Sequence, residues 1–154
     1  MTDPTEPMEP IVKRVVVRCS VERAFDLYTQ GMDTWWPLET HSRQGEVDGA
    51  KVERIEFPTE AGRPILEHLS SGDALSWGEV LEYERPHRVL IAWKPNANPN
   101  PPTELEITFT PEGEGTRVEL VHRGWERLGP LAEEGRAGYD EGWELVLGRF
   151  LRAA

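Results

Sequence analysis

The sequence predicts an α+β fold in which a curved antiparallel sheet grips one long C-terminal helix. Three observations lead to this prediction. A strand and short helices come first, a run of about six strands separated by turn residues follows, and a single amphipathic helix closes the chain. A sheet with one dry face wrapped on a helix also tends to leave a cavity between the two.

Length and composition favour one globular domain behind a short tail. The chain has 154 residues, the usual size of a single domain. Residues 1–10 carry three prolines and three acidic residues and almost nothing to bury. We therefore expect residues 1–10 to form a flexible tail and residues 11–154 to form the domain.

Charge and hydropathy narrow the classes of partner. A net charge of -11 speaks against binding to nucleic acid or an anionic membrane, since both need clustered Lys and Arg. No apolar run approaches the roughly 20 residues of a membrane helix, and the N-terminus lacks the pattern of a secretory signal. The one cysteine, Cys19, excludes an intramolecular disulfide, so we expect a cytoplasmic protein.

The N-terminal elements follow from propensity and capping. Residues 11–19, IVKRVVVRC, are rich in β-branched side chains and predict a strand. Ser20 is a good helix N-cap, and Glu22 lies in the first turn, where the helix dipole favours an acid. Apolar residues at helical spacing continue to Tyr28, and Gly31 ends the helix.

The middle of the chain reads as a meander of strands. The segments are VERIEF, RPILEHL, SWGEVLEYE, RVLIAWK, TELEITFTP and GTRVELVHRG. The last two alternate most clearly, with Leu105, Ile107 and Phe109 on one face of the first, and Val118, Leu120 and His122 on one face of the second. PEGEG supplies the turn between them, and the Pro/Asn-rich residues 94–103 form a long hairpin loop.

The C-terminal helix begins near Leu131 and runs close to the end of the chain. Its apolar arc consists of Tyr139, Trp143, Val146, Leu147 and Phe150. Gly135, Gly138 and Gly142 lie on one flank of this arc, although each costs about 1 kcal/mol relative to alanine inside a helix. Such a smooth flank serves either close packing or space beside a ligand, and of the two we expect close packing.

Two adjacent tryptophans, Trp35 and Trp36, stand directly before Pro37. The proline disfavours helix at Trp36, so a short helix beginning near Met32 ends by that residue. Consecutive side chains there differ by about 100° in direction. We therefore expect one indole in the core and the other at the rim of a pocket, near His41. The sequence does not determine which is which, although Pro37 favours Trp36 for the core.

Five segments in order carry a resemblance to a known family. They are VERAFDLYT, DTWWPLETHS, SWGEVLEYERPHRVLIAWK, TELEITFTPEGEGTRVELVHRGWERLG and YDEGWELVLGRF. With them the chain resembles the SRPBCC or START-like superfamily, and within it the bacterial homologues of the activator of heat-shock-chaperone ATPase, over roughly residues 11–152. The resemblance implies a helix-grip fold with a hydrophobic pocket between helix and sheet. It leaves the chemistry open, because the superfamily includes ligand carriers, cyclases and chaperone regulators. The chaperone activator also carries a separate N-terminal domain, for which this sequence offers no counterpart.

Candidate catalytic groups are few. The four histidines form no HxH or HExxH pair, so we expect no bound metal and no cofactor. His122 faces inward, where a satisfied core histidine is the simpler interpretation and a polar group lining the pocket is the alternative. Glu67 is either a surface carboxylate, which the rarity of buried acids favours, or an acid–base group in the pocket. Together with Tyr139, these residues are the only candidates for catalysis that we identify.

The tryptophans are the strongest sign of a binding site, since six among 154 residues is a high number. The residues expected to line a pocket are Trp35, Trp36, His41, Trp77, Trp93, Phe109, Leu120, His122, Tyr139 and Trp143. We therefore expect binding of a small apolar or aromatic molecule. Two alternatives stay open: an enzyme of the aromatase or cyclase kind, and a regulator that binds a chaperone through its surface.

Overall fold

A computed structural model describes residues 7–154 of the chain. The strands are β1 (Ile11–Val17), β2 (Val52–Glu56), β3 (Pro64–Leu69), β4 (Ala74–Glu84), β5 (Arg88–Trp93), β6 (Thr103–Glu112) and β7 (Gly115–Arg123). The α-helices are α1 (Val21–Tyr28) and α2 (Ala132–Ala153), and the 3-10 helices are Met32–Thr34, Gln44–Glu46 and Trp125–Leu131. The strands form one antiparallel sheet in the order β1-β7-β6-β5-β4-β3-β2. The predicted α+β helix-grip fold is confirmed.

The start of α1 follows its sequence signals. The Ser20 hydroxyl accepts a hydrogen bond from the Arg23 amide at 3.2 Å and so satisfies one of the free N–H groups of the first turn. Phe25 and Tyr28 are buried on the side of α1 that faces the sheet. Phe25 meets the ring of Phe109 on β6 at 5.1 Å, edge to face, which joins the helix to the core.

The sheet has a dry face and a wet face, as the alternation in β6 and β7 predicts. Ile107 and Leu120 are fully buried on the inner face. On the outer face, acidic and basic side chains of neighbouring strands pair, as Glu104 does with Arg123 at 2.9 Å. Cross-strand pairs of opposite charge add modest stability and keep this face in water.

Helix α2 crosses the inner face of the sheet. Its residues Trp143, Val146, Leu147 and Phe150 are buried, while Tyr139, one turn earlier, is half-buried. The helix therefore presents large apolar side chains to the sheet along its second half only. The first half, which carries the three glycines, meets the sheet differently and defines the candidate site.

The chain before β1 is held against α2 and the helix that precedes it. The Met8 amide donates to the Glu126 carboxylate at 3.2 Å. The Arg136 guanidinium donates to the carbonyls of Glu9 at 2.8 Å and Pro10 at 3.2 Å. Thus the end of the predicted flexible tail is docked on the domain, and the rest of that tail, residues 1–6, lies outside the described residues. Within residues 7–154, each helix is too short or too polar to cross a membrane.

Candidate functional site

A cavity of about 360 Å³ lies between the first half of α2 and the sheet. We call it the tryptophan chamber. Its walls are Trp36, His41, Ser42, Trp77, Trp93, Pro95, Glu134, Gly135, Gly138, Tyr139 and Gly142. The cavity is large enough for a small organic molecule, and its walls are mostly apolar with a few polar groups, as in ordinary ligand sites.

Three indoles form the sheet side of the chamber. The ring centroids of Trp36 and Trp77 are 5.1 Å apart, and Trp93 lies 6.0 Å from each of them. The protein satisfies their ring nitrogens: Trp36 donates to the His41 carbonyl at 2.7 Å and Trp93 to the Tyr139 hydroxyl at 3.2 Å. With their N–H groups occupied, these side chains offer the chamber carbon surface.

The α2 side of the chamber is almost bare. A Cβ atom built on Gly138 would meet nothing within 4 Å, and one on Gly142 would meet only the His41 Nε2 atom, at 3.9 Å. A Cβ on Gly135 would come within 2.9 Å of the Leu128 side chain. The expectation that these glycines serve close packing is therefore wrong for Gly138, which borders open space, while a Cβ on Gly142 would make an ordinary contact with the His41 ring.

Tyr139 places a hydroxyl in the wall of the chamber. This hydroxyl accepts the Trp93 N–H, and among the hydrogen bonds of residues 7–154 its own proton has no acceptor. Burial raises the pKa of Tyr139, so the phenol keeps its proton at neutral pH. The group can therefore donate a hydrogen bond to an oxygen or nitrogen of a bound molecule.

The loop over residues 37–46 brings His41 and Ser42 to the chamber. Its backbone is held at two points near its middle, because Trp36 Nε1 donates to the His41 carbonyl and the Arg43 amide donates to Glu67 Oε1 at 2.8 Å. The His41 ring contacts the Thr40 hydroxyl through Nδ1 at 2.7 Å, which leaves Nε2 toward α2.

Glu67 is buried, so the expectation of a surface carboxylate is wrong. It points inward from β3 between Ile65 and Leu69, and all three side chains are shielded from solvent. Its Oε1 atom accepts from Trp77 Nε1 at 2.7 Å as well as from Arg43. Glu67 is not part of the chamber wall; it holds a wall tryptophan and the loop from behind.

His122 is a fully buried core residue and is not part of the chamber wall. Its Nδ1 accepts the Trp143 indole N–H at 3.0 Å, so the neutral ring carries its proton on Nε2 and donates to Thr103 Oγ1 at 2.7 Å. Burial lowers the pKa of His122 to about 3. The ring is neutral at physiological pH and cannot reach a ligand in the chamber.

The structure brings half of the predicted binding residues together. Trp36, His41, Trp77, Trp93 and Tyr139 line the chamber. Trp35, Phe109, Leu120, His122 and Trp143 are buried elsewhere in the core. Both indoles are buried in the core, so the preference for Trp36 as a core residue is confirmed, and the expectation that its neighbour stands at a rim is wrong. Trp35 packs on Tyr28 and Phe150, while the equally shielded Trp36 is the one that borders the chamber.

Sequence reasoning missed part of the site. Ser42, Pro95 and Glu134 line the chamber without having been selected. Glu134 had an available signal, since it lies four residues before Gly138 and so on the same face of α2. Ser42 and Pro95 belong to loops, where no periodicity indicates which side chains turn inward.

A second cavity of about 320 Å³ adjoins the chamber and shares five wall residues with it. We call it the asparagine annex. Its own walls are Lys94, Asn96, Asn98, Asn100, Pro101, Thr103, Leu128 and Leu131. Most of these come from the loop between β5 and β6, so the annex is a polar extension of an apolar chamber. Within residues 7–154, no three His, Cys, Asp or Glu side chains are grouped as metal ligands would be.

Comparison with known proteins gives a family and several related structures. Residues 18–154 match the family model of the Activator of Hsp90 ATPase homolog 1-like protein. No curated protein matches the chain. One similar solved structure is an anthrahydroquino-gama-pyrone synthase, Txn09, complexed with SUM. It shares 27% identity with a TM-score of 0.62, and the alignment covers 96% of this chain and 98% of that one.

Two further structures are similar in fold. The Aha1 dimer from Colwellia psychrerythraea has 17% identity and a TM-score of 0.67, with 95% of this chain and 96% of that chain covered. DynU16, a putative protein in the dynemicin biosynthetic locus, has 19% identity and a TM-score of 0.66. The alignment with DynU16 covers 95% of this chain but 47% of that one.

Proposed function

The chain belongs to the family of Activator of Hsp90 ATPase homolog 1-like proteins, and from this membership and the cavity we propose that it binds a small, flat, apolar or aromatic molecule in the tryptophan chamber. The proposed binding unit is a single domain over residues 11–154. We place the protein in the cytoplasm, on the grounds of its single cysteine.

One observation carries this proposal: indole faces on one side of the chamber stand against a helix face that lacks side chains at Gly138 and Gly142 on the other. Gly138 and Gly142 each cost the helix about 1 kcal/mol relative to alanine. Nothing packs against Gly138 closely enough to explain that cost. A flat ring that lies between the indoles and the bare backbone would fill the space and bury apolar area on both of its faces.

The polar groups of the chamber could hold a ligand in one orientation. The Tyr139 hydroxyl has a free proton to donate, and the His41 Nε2 atom faces the same part of α2. A ligand oxygen next to Tyr139 would receive a hydrogen bond in a largely apolar setting, where such bonds discriminate well between ligands. A planar aromatic with a carbonyl or hydroxyl substituent satisfies these conditions.

The proposal is tested with a naphthalene dye whose emission depends on its surroundings. We expect saturable one-to-one binding and a change in tryptophan emission, while the near-UV circular dichroism stays native. Native mass spectrometry of protein purified from its own host should also show a retained small molecule. A protein that is empty from its host and binds no dye would contradict the proposal and favour the chaperone-binding alternative. Loss of the near-UV signal on binding would indicate a partly melted state instead.

A second candidate function is catalysis of ring closure on an aromatic polyketide. It is favoured by the 27% identity with a pyrone synthase over 96% of the chain. Of the three catalytic candidates, Tyr139 alone lines the chamber, and its phenol could hydrogen-bond the carbonyl that a closing ring attacks. Tyr139→Phe removes the hydroxyl and keeps the ring. If the protein is an enzyme, Tyr139→Phe should lose turnover of a polyketide and retain dye binding. If the protein is a carrier, the intact chain itself should show no turnover.

A further inference from the structure

The asparagine annex lies beside the tryptophan chamber and shares part of its wall. Trp93, Pro95, Glu134, Gly135 and Tyr139 belong to the walls of both cavities. Trp93 and Tyr139 stand between the two spaces, joined by a hydrogen bond of 3.2 Å, so a molecule longer than one ring system would reach the annex past this pair. The two spaces differ in chemistry, which constrains the two ends of such a molecule.

The annex presents hydrogen-bond donors. Asn96 Oδ1 accepts from the Asn98 amide at 3.2 Å, and Asn98 Oδ1 accepts from the Asn100 amide at 3.1 Å. These bonds fix which side-chain atom is the oxygen, and they leave both NH2 groups without an acceptor among residues 7–154. The Thr103 hydroxyl, by contrast, is already engaged with His122 and the Trp93 carbonyl. The free groups in the annex therefore suit an acceptor-rich ligand.

The annex also holds a cation. Lys94 is half-buried in its wall and forms no ion pair within residues 7–154. It is the one Lys or Arg side chain that borders either cavity. Glu134, on the wall shared by both cavities, is exposed and also unpaired within the described residues. The chain as a whole carries a net charge of -11 and repels anions. An unpaired ammonium is therefore a local site that attracts a negative group placed beside it.

We propose that the ligand is an aromatic acid or a similarly anionic, oxygen-rich aromatic, whose ring lies in the tryptophan chamber and whose negative end lies in the annex beside Lys94. This inference rests on the proposed binding function and adds the charge and polarity of the ligand. Lys94 attracts the negative end, the amides of Asn96 and Asn98 donate to its oxygens, and Glu134 opposes it at the shared wall.

The test uses two probes of one shape. 6-(p-Toluidino)naphthalene-2-sulfonate carries a terminal negative charge, and its uncharged sulfonamide analogue has nearly the same size and acceptors. Dissociation constants are measured for the intact chain and for Lys94→Gln, Glu134→Gln and Lys51→Gln. The last is a matched control, because Lys51 is an exposed lysine outside both cavities.

We expect Lys94→Gln to weaken the sulfonate about fivefold and to leave the sulfonamide unchanged. Glu134→Gln should strengthen the sulfonate alone, and Lys51→Gln should change neither probe by more than about 1.5-fold at 0.15 M salt. If both probes bind but respond equally to Lys94→Gln, or if Lys51→Gln has the same effect, the annex proposal is overturned while the proposed function stands. If neither probe binds the intact chain, the proposed function fails and the annex proposal fails with it.

Discussion

The two halves of α2 face an interior rich in aromatic side chains with opposite results. In the second half, the Phe150 ring meets Trp35 at 5.1 Å and Tyr28 at 5.4 Å, and the space is filled. In the first half, Gly138 leaves its side of the chamber open although Trp36 and Trp93 stand across from it. Trp143 lies at the boundary between the two.

The difference shows that the size of the α2 residues, more than the residues across from them, determines where the cavity lies. The chain supplies indoles and phenyl rings along the whole interface, and what changes is the size of the α2 residue that meets them. Large residues there produce a close-packed core, which gains dispersion and burial energy. Glycines there forgo that energy and keep a space, which the proposed ligand would fill.

Trp143→Ala should have the largest effect, because it opens the boundary of the filled half. The substitution removes a buried ring and leaves His122 Nδ1 without its donor. We expect a loss of about 5 kcal/mol in the free energy of unfolding, near the top of the range for truncated core aromatics. Urea denaturation measures it, and a loss below about 1 kcal/mol would mean that the second half is not packed as described.

Trp35→Ala and Trp36→Ala separate the two halves at neighbouring positions. Trp35 packs in the filled half, so its loss should cost about 3–4 kcal/mol of stability and leave dye affinity within about twofold. Trp36 borders the chamber, so its loss should weaken the dye about tenfold with a smaller cost in stability. Equal losses of stability with normal dye binding in both variants would abolish the distinction.

The pH dependence of stability tests how well His122, beside Trp143 at the boundary between the two halves, is shielded from water. Burial lowers the pKa of His122 to about 3, below the ordinary value of 6.5. The unfolded chain therefore gains a proton at this residue as the pH falls below 6.5, while the folded chain stays neutral until about 3. The free energy of unfolding should therefore decrease as the pH falls from 6.5 to about 3, by up to about 1.4 kcal/mol per pH unit.

Comparison of variants isolates the His122 contribution between pH 7 and 5. His122→Gln should show a shallower loss of stability over this range, by about 2 kcal/mol in total. His87→Gln, at an exposed turn position, should keep the slope of the intact chain. Identical slopes in all three proteins would show that the His122 environment takes up a proton easily and is not dry.

Much of the fold could be predicted because its signals are periodic. The alternation of β6 and β7 and the apolar stripe of α2 depend on 2-residue and 3.6-residue repeats, which survive in the structure. The burial of Glu67 was also readable, since Ile65, Glu67 and Leu69 share one strand face. The apolar Leu66 between them obscured the alternation, and the general rarity of buried acids pointed the wrong way.

The site was only partly predictable, because its walls depend on loops and on the absence of atoms. Steric rules separate the directions of Trp35 and Trp36, but long-range packing decides that Trp35 meets Phe150 and Trp36 borders the chamber. The helical glycines indicate a smooth helix face. The sequence is the same, however, whether that face packs closely or borders empty space. The annex arises from the irregular residues 94–103, for which no repeat exists.

The central claim is that missing side chains on α2 create a ligand space, and filling that space tests it most directly. Gly138→Leu places a side chain into the chamber, and Gly148→Leu makes the same change at another open position of α2 outside both cavities. Both should leave stability unchanged or raise it by up to about 1 kcal/mol, since leucine favours helix over glycine. The naphthalene dye should bind Gly138→Leu at least about tenfold more weakly than the intact chain, a loss of roughly 1.4 kcal/mol in binding free energy. It should bind Gly148→Leu as tightly as the intact chain. A folded Gly138→Leu protein that binds the dye with undiminished affinity would contradict the central claim.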